Sequence, residues 1–216
     1  MAEHTEQVRY GRLDKDFVAS LRAVTVEQDD AFLMLNLMRY RPWADYGDDR
    51  PRITGREADD LYAPVDILAD LGAEIVLFGD VVEQPRGDEA WDRVAIVRYP
   101  TVRSFLDMQE RPDFIARHVH KDAGMERTVI AVCRPMAGAL GAGDKILVDL
   151  VTDTEVEAAP GQLLLRVEGS PVNDGPLWST LVLTALDDEK GAGDHLAGHG
   201  GDATSVIVAA LLNTLR

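Results

Sequence analysis

The sequence contains a single cysteine, Cys133, and its aromatic residues make up only 6% of 216 positions. One cysteine excludes an intrachain disulfide and any metal site built from several thiolates, and Cys133, inside a predicted strand, is expected to be a core residue. No apolar run approaches the length of a membrane span, and the N-terminus lacks the apolar segment of a secretory signal. We therefore expect a cytoplasmic protein without a membrane partner.

Positive charge is also scarce, because 22 lysines and arginines stand against 38 aspartates and glutamates and leave a net charge of −16. An acidic surface repels phosphate backbones and anionic lipids, so nucleic acid is excluded as the default partner. The apolar fraction of 46% is ordinary for a globular domain. A small-molecule ligand and a second copy of the chain are the expected partners.

Motifs for nucleotides and for hydrolysis are missing. The glycine-rich stretches lack the strand-to-helix setting of a dinucleotide fingerprint, and neither a P-loop nor a G-x-S-x-G motif occurs. His195 and His199 have the spacing of a metal pair on a helix, but the glycines around them favour a loop. No metal site is predicted.

Apolar patterning predicts eight strands and three helical stretches. The strands are expected at 31–40, 74–82, 92–99, 128–134, 145–153, 163–169, 178–186 and 204–212. The helices are expected at 13–26, at 54–71 behind a Thr54–Glu57 capping box, and at 100–121 with a break at Pro112. The first four strands and their helices give the order β-α-β-β-α-β, which is typical of a ferredoxin-like α+β fold.

The second half of the chain has the pattern of a compressed copy of the first, because its four strands follow with shortened spacers and Trp91 and Trp178 each open a third strand. We predict an N-terminal extension with a short helix (1–30), a ferredoxin-like repeat (31–135), a linker (136–144) and a degenerate repeat (145–216). Two such sheets packed face to face make a barrel, and its interior is the expected pocket.

Strand alternation assigns side chains to this pocket. In the first strand, Leu33, Leu35 and Leu37 are expected to face the helices. The opposite face, expected to point into the barrel, holds Phe32, Met34, Asn36, Met38 and Tyr40. Asn36 would be a lone amide there, paired either internally or with a ligand. Arg98 or Tyr99 would end near the barrel mouth, where an arginine binds either a substrate oxyanion or a surface carboxylate.

The stretches FLMLNLMRYRPWADYG, TGREADDLYAPVDILADLGAEIVLFGDV and WDRVAIVRYPTVRSFLDMQERPDFIARHVHKDAGMERTVIAVCRP carry a family likeness. Residues 31–135 resemble the DUF1330 group of the dimeric α/β-barrel superfamily, whose members are mostly of unassigned function. The superfamily also contains antibiotic-biosynthesis monooxygenases, polyketide cyclases and haem-degrading monooxygenases. In the haem-degrading members an Asn on the first strand and a His ending the second helix face the haem, and Asn36 and His118 match them. Met108 stands where those proteins have a tryptophan.

The resemblance and the residues together predict an enzyme that oxygenates, cyclises or isomerises an apolar or aromatic molecule without a cofactor. His118 is the expected acid/base, since His120 would point away from it on a helix, and Asn36 and Arg98 would orient the substrate. The expected substrate-binding residues are Met34, Met38, Tyr40, Trp43, Tyr62 and Met108. The alternatives are a non-catalytic module whose barrel is filled by Phe32, Met34 and Met38, and a haem protein.

Overall fold

The secondary structure follows the apolar segments of the chain. The structure, a computed structural model, describes residues 8–50, 52–152, 155–173, 175–186 and 203–215. Its elements are α1 (Lys15–Arg22), a short 3₁₀ helix (Val26–Gln28), β1 (Phe32–Tyr40), α2 (Gly55–Tyr62), α3 (Val65–Asp70), β2 (Glu74–Arg86), β3 (Arg93–Tyr99), α4 (Val102–Glu110), α5 (Pro112–Gly124), β4 (Met125–Gly138), β5 (Lys145–Val151), β6 (Gln162–Val172), β7 (Thr180–Leu186) and β8 (Ala203–Asn213).

The strands close into one antiparallel barrel in the order β1-β3-β2-β8-β5-β7-β6-β4. The predicted α+β class and the closure of a barrel within the chain are confirmed. Each half of the chain lays its four strands in the same spatial order, namely fourth, first, third and second. The halves join where β2 pairs with β8 and β4 pairs with β6. The second half thus supplies the sheet that covers the inner face of the first.

Aliphatic side chains from both halves fill the barrel interior, so the prediction of a pocket inside the barrel is wrong. Leu35 and Leu37 of β1 are 0% exposed and pack in one cluster with inward side chains of the second half. These partners include Ile146, Val148, Leu150, Leu181, Leu183 and Val206. Cys133 lies in the same cluster, where burial raises the pKa of its thiol to about 12 and confirms the expected core role.

The helices depart from the sequence prediction at a proline. The single helix expected over 54–71 is two helices, because Pro64 lacks the N–H that would continue α2 and forces Ala63 out of the helical conformation. Leu61 and Val65, on either side of the break, are more than half exposed. The break expected at Pro112 is confirmed, since α4 ends at Glu110 and Pro112 begins α5.

Two segment boundaries also differ from the expectation. Strand β4 continues through Gly138 and so takes up the first residues of the predicted linker, and β2 continues to Arg86. Trp91 and Trp178 each lie two residues before the third strand of their half, and both are buried in the barrel interior.

His195 and His199 lie outside the described residues. In the part of the chain that the structure describes, no helix has the length and apolarity needed to cross a membrane.

Candidate functional site

A cavity of about 710 Å³ lies between the outer face of the first half's sheet and its helices. Its floor is formed by the outward side chains of β1 and β3, and α2, α4, α5 and the segment before α1 supply its walls. Most of the lining is apolar, including Met34, Met38, Leu68, Val97, Phe105 and Ile130. The arrangement suits a largely apolar small molecule.

The face of β1 that the sequence assigned to the barrel interior is the face that lines this cavity. Leu33, Leu35 and Leu37 point into the barrel, whereas Met34, Asn36 and Met38 point toward the helices. The alternation is therefore correct and the assignment of the two faces is reversed. The expected residues that line the cavity are Met34, Asn36, Met38, Tyr62, Met108 and His118.

The other three expected site residues lie elsewhere. Arg98 is exposed at the end of β3 and forms an ion pair with Glu74, which is the surface pairing that the sequence left open. Trp43 is 47% exposed and stacks under Arg52 rather than covering a ligand. Tyr40 does not line the cavity; its hydroxyl donates a 2.7 Å hydrogen bond to Asp59, which does, and burial raises the pKa of Tyr40.

Asn36 pairs within its own strand. Its Nδ2 donates a 3.2 Å hydrogen bond to the Met34 carbonyl oxygen, and the side chain is partly buried at the cavity floor. The internal pairing that the sequence left open is therefore present. The second N–H of Nδ2 and the amide oxygen are the polar groups that a ligand can contact.

A contact between two glycines brings α2 against α5 beside the cavity. A Cβ on Gly55 would lie 2.4 Å from the Gly124 carbonyl oxygen, and a Cβ on Gly124 would lie 2.6 Å from the Gly55 carbonyl oxygen. Only glycine permits this approach of two backbones. It places Asp59 of α2 next to Lys121 of α5.

Lys121 is buried at one end of the cavity, with 6% of its surface exposed. Its Nζ lies 5.1 Å from the centre of the Tyr10 ring and 4.9 Å from that of Tyr62. Among the described residues, none forms a hydrogen bond or ion pair with this Nζ. Burial lowers the pKa of Lys121 to about 8, although Asp59 opposes this shift by attracting the charged form.

Asp59 is the acidic counterpart of Lys121 at this end of the cavity. The carboxylate is 7% exposed, accepts the Tyr40 hydroxyl and lies 3.7 Å from Arg93, which is itself buried. Burial raises the pKa of Asp59, while the hydrogen bond from Tyr40 and the charges of Lys121 and Arg93 lower it. The cavity is therefore lined by a carboxyl group with a raised pKa and an amine with a lowered pKa.

His118 lies one turn before Lys121 on α5 and lines the same cavity. Its ring packs edge-on against Phe114 at 4.7 Å and lies 6.1 Å from Tyr62. His120 points elsewhere and forms a 2.7 Å hydrogen bond through Nδ1 with the Tyr46 hydroxyl. The prediction that the two histidines cannot share one site is confirmed.

Sequence reasoning missed Lys121, Asp59 and Tyr10. Lys121 follows two histidines and precedes an aspartate, a pattern of a solvated helix end. The available signal was Gly124 at the end of the helix, since a glycine without a turn to make indicates a close backbone approach. Tyr10 belongs to the predicted N-terminal extension, to which no site residue was assigned, yet it is 6% exposed and lines the cavity.

Comparison with known proteins finds relatives among solved structures only. No protein-family model matches the chain, and no curated protein matches it. The chain is similar to the methylated RPA0582 protein, with 31% identity and a TM-score of 0.53 over 61% of this chain and 98% of that one. It is similar also to the RPA0582 protein of unknown function from Rhodopseudomonas palustris, with 30% identity and a TM-score of 0.52 over 59% of this chain and 98% of that one.

Proposed function

The chain belongs to the same family as the RPA0582 protein, whose function is unknown, and we propose that it is an enzyme that moves a proton on a small, largely apolar carbonyl compound. The observation that carries the proposal is the cavity between helices and sheet, whose mostly apolar lining includes Lys121, Asp59 and His118. Cyclisation and isomerisation of carbonyl compounds both begin with such a proton transfer.

In this proposal the apolar lining packs against the hydrocarbon part of the substrate, and Lys121 hydrogen-bonds to its carbonyl oxygen. A buried amine that makes no hydrogen bond to the described residues is costly, because an ammonium group carries three donors. A carbonyl or enolate group in the cavity would satisfy it. The remaining walls offer thioethers and aliphatic groups, which adapt to aromatic or branched apolar bodies.

His118 is the proton carrier in this proposal. It lies three residues before Lys121 on the same helix, so both side chains lie on the helix face that lines the cavity. An imidazole titrates near neutral pH and can take a proton from the carbon next to a carbonyl group. Asn36, on the cavity floor, would orient the substrate by donating its second Nδ2–H to the carbonyl oxygen.

We expect the protein to accelerate exchange of the α-hydrogens of phenylacetone for deuterium in D₂O, measured by NMR of the ketone. The His118→Gln variant should lose about a hundredfold or more in exchange rate, which is the usual contribution of a positioned base. The matched control is His120→Gln, because His120 lies on the same helix but contacts Tyr46 outside the cavity. Equal rates for wild type and His118→Gln would contradict the assigned role.

For the fold, we propose that the two halves are two ferredoxin-like repeats and that residues 31–135 are a DUF1330-like unit of the dimeric α/β-barrel superfamily. The shared strand order of the halves and the equivalent positions of Trp91 and Trp178 support this. Assembly into a homodimer and a cytoplasmic location also remain proposals. Native mass spectrometry of the purified chain tests the assembly.

Haem binding is the second candidate, because Asn36 and His118 line one cavity as the resemblance to haem-degrading proteins implies. His118 would be the residue that holds the haem iron, and Met108 would stand in the place of the tryptophan. An absorbance scan of the freshly purified protein separates the two proposals. A Soret band lost in His118→Ala would replace the carbonyl proposal, and a spectrum without that band supports a cofactor-independent reaction.

A further inference from the structure

We propose that Lys121 holds its carbonyl substrate covalently, as an imine formed between Nζ and the carbonyl carbon. The proposal rests on the proposed function and deepens it, since it narrows the substrate class from carbonyl compounds in general to aldehydes and ketones. It assigns a nucleophile to a buried amine whose charged form is favoured by Asp59 and by the rings of Tyr10 and Tyr62 but makes no hydrogen bond to the described residues.

The surroundings of Nζ suit a nucleophile better than a structural ammonium. A structural lysine in a protein interior is normally paired with a carboxylate or several carbonyl groups. Lys121 instead lies between the rings of Tyr10 and Tyr62, at the cavity wall, without a hydrogen bond to any residue that the structure describes. Burial of this kind lowers the pKa of Lys121 to about 8, so a substantial fraction of the amine is neutral near neutral pH.

The step balances without a cofactor or an oxidant. The Nζ lone pair attacks the carbonyl carbon and forms a C–N bond, while the π electrons of the carbonyl group move to oxygen. The two hydrogens of the neutral amine pass to that oxygen, which leaves as water when the C=N bond forms. Asp59 is the nearby group that can pass these protons, because burial raises the pKa of its carboxyl group.

Imine formation also explains why His118 and Lys121 share one end of the cavity. A protonated imine withdraws electrons more strongly than a carbonyl group and acidifies the neighbouring C–H bond. His118, one turn away, takes that proton and returns it, and water then releases the ketone and restores the amine.

Reductive trapping with phenylacetone and sodium cyanoborohydride tests the proposal on the full chain. The chain has four lysines, at positions 15, 121, 145 and 190, so peptide mapping assigns every lysine adduct and separates it from one on the α-amino group. We expect one adduct with the mass of phenylacetone less one oxygen atom, on Lys121. Lys15 and Lys145 are exposed and serve as internal controls. At pH 8 Lys121 should be labelled at least about tenfold more than either, because an ordinary lysine is deprotonated to well under one part in a hundred there.

The pH profile adds an independent readout. Labelling of Lys121 should rise with pH through about 8, since the neutral amine is the reacting form. The titratable groups that face Lys121 come from the N-terminal segment, from α2 and from α5, namely Tyr10, Asp59, Tyr62, His118 and Asp122. Asp59→Asn removes an attraction for the charged amine and should move this profile to lower pH.

Trapping and deuterium exchange together separate the two proposals. Adduct on Lys121, with exchange lost as the adduct accumulates, supports the imine. Exchange that continues in Lys121→Met, or that occurs while no adduct forms on Lys121, would overturn the imine and leave the proton-transfer function. Equal labelling of Lys15 and Lys121 would likewise overturn it. The absence of both exchange and adduct would overturn both proposals.

Discussion

Lys121→Met is expected to raise the free energy of unfolding at pH 7 by about 3 kcal/mol, while it abolishes reductive trapping. The folded chain holds the pKa of Lys121 at about 8 and the unfolded chain returns it to its ordinary value of 10.5. Since 1 pKa unit corresponds to 1.36 kcal/mol, the charged lysine destabilises the fold by roughly that amount. Methionine fills the same space without a charge.

The lowered pKa of Lys121 also determines how the free energy of unfolding depends on pH. Between pH 8 and 10.5 the unfolded chain binds more protons at this site than the folded chain, so the stability of the wild type rises with pH across that window. The advantage of Lys121→Met is therefore largest below pH 8 and should fall below about 1 kcal/mol at pH 10.

Urea unfolding of both proteins at pH 7 and pH 10 measures the difference. Lys15→Met is the matched control, because Lys15 is exposed on α1 and its replacement should change neither stability nor its pH dependence. A Lys121→Met protein that is less stable than wild type at pH 7 would show that the ammonium group supports the fold. If Lys121→Met is instead more stable than wild type, Lys121 is retained for its chemistry and not for the stability of the fold.

Leu35→Ala is expected to lower the free energy of unfolding by about 3 kcal/mol or more and to leave ligand binding unchanged. Leu35 is 0% exposed in the barrel interior, so truncation leaves a cavity bounded by both halves of the chain. The side chain points away from the helix–sheet cavity. The folded fraction of the variant should therefore bind phenylacetone with the affinity of the wild type, measured by NMR titration at low temperature.

Met34→Ala is the paired variant, since Met34 is the preceding residue and lines the helix–sheet cavity. Removing its side chain should weaken phenylacetone binding by about tenfold, from the loss of roughly 1.5 kcal/mol of apolar contact. If Leu35→Ala weakened binding and Met34→Ala did not, the ligand would lie inside the barrel, as the sequence alone suggested.

The contrast between Leu35 and Met34 shows how far the sequence predicts the site. Alternation in β1 correctly separates the two faces, because successive side chains of a strand point in opposite directions. The sequence does not show which face meets the helices, since both faces are apolar and both are buried. Met34, Asn36 and Met38 were thus identified as neighbours on one face but placed in the wrong layer.

Long-range contacts account for the other errors. Lys121 has the local sequence of a solvated helix end and is buried only because Gly124 lets α2 approach α5. The break at Pro64 could have been predicted, because proline cannot continue a helix. It was missed because the helical spacing of apolar residues continues past this proline. Each of the eight strands in the described part of the chain was predicted, because each is a continuous apolar run between polar or glycine-rich segments.

The methyl spectrum of the methionines tests most directly whether the ligand binds in the helix–sheet cavity. Four of the six methionines line the helix–sheet cavity, namely Met34, Met38, Met108 and Met125, whereas Met136 is 50% exposed on β4 outside it. Phenylacetone titrated into the protein labelled with methyl-¹³C methionine should shift the four cavity signals and leave Met136 unchanged. Cavity signals that stay fixed at saturating ketone, while methyl groups of the barrel leucines shift, would place the site inside the barrel and contradict the account.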